Sequence, residues 1–291
     1  MAIAFEKEFR KGSASYEADL ARWWITRSQD EVHRAAHRNV VRFMQRFLRG
    51  QGIERPRTIV DYACGNGSLI GLLAKQFPAS RILALDGSKR MLTHARDNLQ
   101  ASGLISRMIT PGLSRNGDRI ELMHTPLPNF DLPATKADAL VFLFPNMTIS
   151  KKERRALRKQ VATPPLVRDS ARGLARLAQW DTGDPPHETM EDLLDARAIA
   201  LNIRGLLKRG GYWFEIDYAN APRKQWDPLD QSRTLFEESA DFIAGGRRLP
   251  RLFRLLQSSY YPSSVVLDVY EQSGDANDRK GGYAISVLQA V

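Results

Sequence analysis

Arg57–Leu99 reads RTIVDYACGNGSLIGLLAKQFPASRILALDGSKRMLTHARDNL, and the rest of the chain is organised around it. Thr58-Ile59-Val60 is a β-branched run, the pattern of a strand buried on both faces. It leads through Asp61 and Tyr62 into Ala63-Cys64-Gly65-Asn66-Gly67. Ser68 and the apolar series Leu69, Ile70, Leu72 and Leu73 then predict a helix. A second short strand, Arg81–Leu85, closes on Asp86, and Ser88 is placed to cap the next helix. Strand, glycine turn, helix, strand, acid is half of a nucleotide-binding α/β sheet.

Gly65 and Gly67 allow a sharp turn and a close approach of ligand to main chain. Asp86 falls at the carboxyl end of the adjacent strand, where a carboxylate can accept hydrogen bonds from both hydroxyls of a ribose. An ordinary βαβ unit with a capping Asp explains each feature singly. The spacing of turn and acid favours a ligand site.

Two cofactors compete for this turn. A dinucleotide fingerprint needs Gly-x-Gly-x-x-Gly, but Ile70 stands at the third glycine and Gly71 comes one residue late. The turn instead resembles the Asp-x-Gly-x-Gly-x-Gly motif of class I S-adenosylmethionine-dependent methyltransferases. Asp61, Gly65 and Gly67 match it, and Ala63 replaces the first glycine. Leu85-Asp86-Gly87-Ser88 with Met91-Leu92 is similar to the family's second segment, where the acid holds the ribose and the next residues lie near the adenine. The resemblance runs from about Thr58 to Val291 with a poorly matched interior. It implies a Rossmann-like, seven-stranded, mostly parallel sheet with helices on both faces and a C-terminal antiparallel hairpin. It also implies S-adenosylmethionine as cofactor, held by Asp61, Ala63, Gly65, Asn66, Gly67, Asp86, Gly87, Ser88, Met91 and Phe144.

A chain of 291 residues with 43% hydrophobic content can form one large α/β domain with additions. No apolar run approaches the roughly 20 residues of a membrane span. The charged N-terminus MAIAFEKEFRKGS has no signal-peptide core, so a soluble cytoplasmic protein is expected. Cys64 is the only cysteine; an internal disulfide and a cysteine metal site are excluded. Its expected role is that of a small buried residue rather than a nucleophile.

Residues 1–50 read as an N-terminal helical cap, with 51–291 as the catalytic domain. A first helix carries Tyr16, Leu20, Trp23 and Trp24 on one face. Those aromatics read as lid residues or as packing. Ser28-Gln29-Asp30-Glu31 has the form of a capping box for a long helix through Leu48, stopped by Gly50. Arg34, Arg38, Arg42 and Arg46 recur every four residues as a solvated stripe. His33 and His37 share that spacing without a visible third ligand, and no metal is expected.

Of Leu104–Ile109 and Arg119–Thr125, the second alternates better and is the predicted third strand. Asp138–Phe144 is a strong fourth strand. Residues 148–187 form a basic helical insertion; from Lys151 to Arg176 nine Lys and Arg face two acids, a net +7 within a chain of +10. A core helix over about Glu188–Lys208 precedes Leu207-Lys208-Arg209-Gly210-Gly211, which resembles the family's turn with Arg209 in place of proline. Tyr212–Tyr218 is the fifth strand, a further helix is expected over about Gln231–Phe242, and Ser264–Glu271 and Tyr283–Leu288 are predicted as the final hairpin.

The expected reaction is in-line methyl transfer to an O or N nucleophile, achieved mainly by orientation. A base is needed only if the acceptor loses a proton; His187, Glu215, Asp217 and Tyr218 are placed for it, with Glu215 and Asp217 on one strand face. The insertion's charge invites nucleic acid. The aromatic residues, however, cluster in the cap and the fifth strand rather than among the basic side chains, so base stacking is poorly supplied. A small or medium-sized metabolite is favoured, with a carboxylate or phosphate as the group its arginines would meet. RNA methylation, an NAD(P)-dependent oxidoreductase and a non-catalytic binding module remain the alternatives. The oligomeric state is not legible.

Overall fold

The computed structural model describes residues 19–109, 119–127, 129, 132, 135–143, 199–219, 252–263 and 282–291. In chain order the elements are α1 (Asp19–Arg27), α2 (Glu31–Gly50), β1 (Thr58–Tyr62), α3 (Ile70–Gln76), β2 (Arg81–Asp86) and α4 (Lys89–Ala101). They continue with β3 (Arg107–Ile109), β4 (Ile120–His124), β5 (Ala137–Leu143), helix α5 (199–206), β6 (Leu207–Ala219), β7 (Phe253–Pro262) and β8 (Gly282–Ala290).

The strands form one sheet in the order β3-β4-β2-β1-β5-β6-β8-β7. Every pairing from β3 to β6 is parallel, and β8 runs antiparallel to both β6 and β7. Among the described residues the sheet therefore has eight strands, one more than the seven expected. Leu104–Ile109 and Arg119–Thr125 read as rivals for one strand, and each contributes one. Arg107–Ile109 pairs with Glu121–Met123 as a three-residue edge strand, too short and too exposed to show alternation.

The terminal hairpin is present with a different partner. Gly282–Ala290 covers the predicted Tyr283–Leu288, but it pairs with Phe253–Pro262. Ser264–Glu271 lies outside the described residues. A bulge between Leu255 and Gln257 breaks the alternation of β7 and hid it from a period-two reading. Strand β6 begins earlier than expected, because Leu207 pairs with Ala137 before an irregularity, with Gly210 at φ +77°, that resets the register to Ala139↔Tyr212. Helix α5 accordingly ends at 206, not at Lys208.

Side-chain alternation divides the core into two layers. On one face, Ile59, Ile82, Ala84, Val141, Phe214 and Ile285 pack beneath α2, α3 and α4. Phe47 meets Tyr212 and Phe214 edge-on at 5.4 and 5.6 Å, Phe43 meets Phe214 at 6.4 Å, and Asn39 Nδ2 donates to Tyr283 Oη at 2.8 Å. Going from Phe47 back to Asn39, these contacts run up β6 toward its carboxyl end. The start of α2 therefore lies at the carboxyl edge of the sheet. On the other face, Val60, Tyr62, Leu85, Phe142 and Trp213 pack with Ile199, Ile203 and Leu206 of α5.

Two helix boundaries differ from expectation. Asp30, not Ser28, caps α2; its carboxylate accepts from the His33 N–H at 2.8 Å and lies 3.0 Å from His33 Nδ1. The helix runs through Gly50, and Gly52 takes the positive φ, +75°. Ser88 caps α4 as expected, accepting from Met91 N at 3.1 Å.

Candidate cofactor site

The site lies at the carboxyl ends of β1 and β2, beside the point where the strand order reverses between β1 and β5. Beyond Tyr62 the chain turns through three residues of positive φ: Ala63 at 58°, Gly65 at 55° and Gly67 at 76°. Ala63 thus holds a left-handed conformation that disfavours any residue with a Cβ. Gly67 is required for a second reason. A Cβ there would sit 2.8 Å from Ala95 Cβ and 3.1 Å from Ala95 Cα in α4. At Gly65 a Cβ would come 3.3 Å from Met91 Cε.

Asp86 locks the turn from the neighbouring strand. Its Oδ2 accepts from Gly65 N at 2.7 Å and its Oδ1 from Ser88 N at 2.9 Å. One carboxylate therefore shapes both the glycine turn and the entry to α4. Its carbonyl accepts from Thr125 N at 2.9 Å, while His124 Nε2 lies 3.1 Å from the Gly87 carbonyl, so β4 closes the far wall.

Asp61 is the least satisfied group of the site. It is 1% exposed, and its Oδ2 has no hydrogen-bond partner among the described residues. Burial, aided by the charge of Asp86, pushes its pKa up to about 8. Two carboxyl groups are thus held close enough for the charge of one to raise the pKa of the other. Burial also pushes the Cys64 thiol well above its usual range, which leaves it protonated and unreactive.

The structure brings Asp61, Ala63, Gly65, Asn66, Gly67, Asp86, Gly87, Ser88 and Met91 into one cluster. Some of their side chains are already committed. Ser88 Oγ caps α4, Met91 backs Gly65, and Asn66 bonds to Ser28 and Ser68. Glu215 is 4% exposed and lies in register between Phe142 and Ser286. Alternation puts it on the Trp213 face of the sheet, away from the face that carries Asp61. Asp217 pairs with Ala284 further along β6. Phe144 and His187 lie outside the described residues.

Sequence reasoning missed a buried network on that second face. Tyr62 Oη donates to Asn202 Oδ1 at 2.6 Å, Asn202 Nδ2 donates to the Asn129 carbonyl at 2.6 Å, and Asn129 Nδ2 donates to Thr125 Oγ1 at 2.7 Å. It ties β1, α5 and the loop after β4 together, and no local motif marks residues 140 positions apart.

An open parallel sheet closed by an antiparallel strand pair, with a glycine turn after β1 and an acid after β2, has the Rossmann-like fold of the class I S-adenosylmethionine-dependent methyltransferases. Residues 59–163 match the family model described as "Methyltransferase domain". Among curated proteins, a trans-aconitate 2-methyltransferase of Acidovorax sp. (strain JS42) is 50% identical over 44 residues, covering 15% of this chain and 17% of the relative. The enzyme of that name from Paracidovorax citrulli (strain AAC00-1) is 30% identical over 98 residues, or 34% and 35% of the two chains. These matches span about a third or less of the relatives' length. Among solved structures, the N-methyltransferase NodS of Bradyrhizobium japonicum WM9, in complex with S-adenosyl-L-homocysteine, superposes with a TM-score of 0.49 at 10% identity, covering 97% of this chain and 98% of that one. Magnesium protoporphyrin IX methyltransferase of Synechocystis PCC 6803 gives 0.49 at 14% identity and 98% of both chains.

Proposed function

We propose that this protein is an S-adenosylmethionine-dependent methyltransferase acting on a small or medium-sized metabolite. The observation that carries the reading is the Asp61–Asp86 pair around the glycine turn. A buried carboxyl oxygen without a partner, beside a second carboxylate, suits a ligand that brings both a cation and hydroxyl donors. S-adenosylmethionine has an ammonium, a sulfonium and a ribose diol, and the residues present fit it. Asp86, whose carboxylate already shapes the glycine turn through Gly65 N and Ser88 N, would meet the ribose hydroxyls. Asp61 would accept the ammonium, and the Gly65–Gly67 turn would let the ligand approach the main chain. Met91 would border the adenine end, and Phe144 is proposed as a further cofactor contact.

When bound, the cofactor supplies a methyl group made electrophilic by its sulfonium. The protein's part is to orient the acceptor in line with that methyl and to exclude water. Glu215, Asp217 and His187 are proposed as the groups that take a proton from an O or N acceptor. Residues 1–50 act as a cap over the domain 51–291, and the basic insertion over 148–187 meets the acceptor. A carboxylate-bearing acceptor agrees with the names of the curated relatives and with the insertion's charge. No helix among the described residues is long and apolar enough to cross a membrane. We place the enzyme in the cytoplasm.

Titration calorimetry with S-adenosylhomocysteine tests the reading. Asp86→Ala removes charge-assisted hydrogen bonds of roughly 1.5–3 kcal/mol each, so affinity should fall about ten- to hundredfold for one bond lost. Wild-type affinity in a folded Asp86→Ala variant, or NAD(P) binding in place of S-adenosylhomocysteine, refutes it. An acceptor screen with labelled methyl donor, run on carboxylate metabolites and on mixed RNA, identifies the substrate class.

A further inference from the structure

The turn between α1 and α2 is hydrogen-bonded to the cofactor turn through the side chain of Asn66. Asn66 is 4% exposed and held from three directions. Its Oδ1 accepts from Ser68 Oγ at 2.6 Å, its Nδ2 donates to Ser28 Oγ at 2.6 Å, and its carbonyl accepts from Asn98 Nδ2 of α4 at 3.0 Å. Ser28 Oγ in turn donates to the Ile25 carbonyl in the last turns of α1 at 3.0 Å. The donors and acceptors run in one sense: Ser68 to Asn66, Asn66 to Ser28, Ser28 to Ile25. Both hydroxyl protons and one amide proton of Asn66 point along this sense, so the chain polarises cooperatively. Losing the Ser28 hydroxyl would leave a buried amide N–H of Asn66 without its acceptor.

We propose that Ser28 is a positioning residue, and that the chain Ser68–Asn66–Ser28–Ile25 couples docking of α1 to the shape of the cofactor turn. This rests on the cofactor reading above. Asn66 lies between the two positive-φ glycines, so its side-chain partner sets how the Gly65–Gly67 main chain is presented. Linkage is reciprocal: a ligand that needs the formed turn must also tighten α1. Ser28 does not touch the cofactor in this scheme; it acts through Asn66.

The test uses the full chain, S-adenosylhomocysteine as probe, calorimetry and amide hydrogen exchange. In wild type, ligand should slow exchange across Asp19–Arg27. Ser28→Ala should weaken S-adenosylhomocysteine at least about fivefold, the lower end of common coupling energies, and abolish the ligand-dependent protection of α1. Ser28→Thr, which keeps the hydroxyl, should restore both. Ser28→Ala binding within about twofold of wild type, or α1 exchange indifferent to ligand in the wild type, overturns the proposal. If Asp86→Ala weakens binding while Ser28→Ala does not, the coupling fails and the cofactor reading stands. If the wild type takes no S-adenosylhomocysteine, both fall.

Discussion

Gly67→Ala is the sharpest structural test of the cofactor turn. Two separate penalties apply. Alanine at φ +76° costs about 1–2 kcal/mol relative to a right-handed conformation. The reduced freedom of the unfolded chain returns about 0.4–1 kcal/mol of that. The new Cβ would also lie 2.8 Å from Ala95 Cβ and 3.1 Å from Ala95 Cα. Neither atom can rotate away, since the second belongs to the backbone of α4. The turn and the helix must therefore separate by several tenths of an ångström, against the Asn98–Asn66 bond that holds them together. Such overpacking costs typically about 1–3 kcal/mol. The expected loss is about 2–4 kcal/mol in urea unfolding, with an unchanged slope. A double-mutant cycle separates the two causes. Ala95→Gly alone costs about 0.5–1 kcal/mol as a helix glycine. Combined with Gly67→Ala it should recover part of the steric penalty and none of the dihedral one. A loss under about 1 kcal/mol for Gly67→Ala, or strict additivity in the double variant, refutes the packing account.

The neighbouring positions give opposite signs. Ala63→Gly relieves a positive φ at no steric cost and should stabilise the protein by up to about 1 kcal/mol, read as a thermal midpoint raised by about 1–3 °C; a fall in midpoint would count against the strain at Ala63. Asp61 has a folded pKa of about 8, above its ordinary value near 4. The folded state binds the extra proton in that window, so apo stability should fall as pH rises from about 4 to 8. Asp61→Asn should flatten that slope and stabilise the apo protein at pH 8, while weakening S-adenosylhomocysteine; an unchanged pH profile in the Asn variant would refute the burial argument.

Much of this molecule is written in local pattern. The β-branched run into Asp61, the glycine turn, the acid after β2 and the Ser88 cap follow from residues within a few positions of one another, and short-range sterics are enough to specify them. Parallel order and the final antiparallel pairing came with the family resemblance. Tertiary structure decided the rest, because it depends on groups far apart in the chain. Arg107–Ile109 becomes a strand only because β4 offers it an edge. Phe253–Pro262 becomes the outer strand because β8 enters between it and β6, a choice that a bulged sequence does not announce. Asp30 takes the cap of α2, which leaves the Ser28 hydroxyl to reach Asn66, 38 positions away. The raised pKa of Asp61 has the same origin: a carboxylate beside a glycine turn reads as solvated until the packing of α2, α3 and α4 removes the water and sets Asp86 beside it.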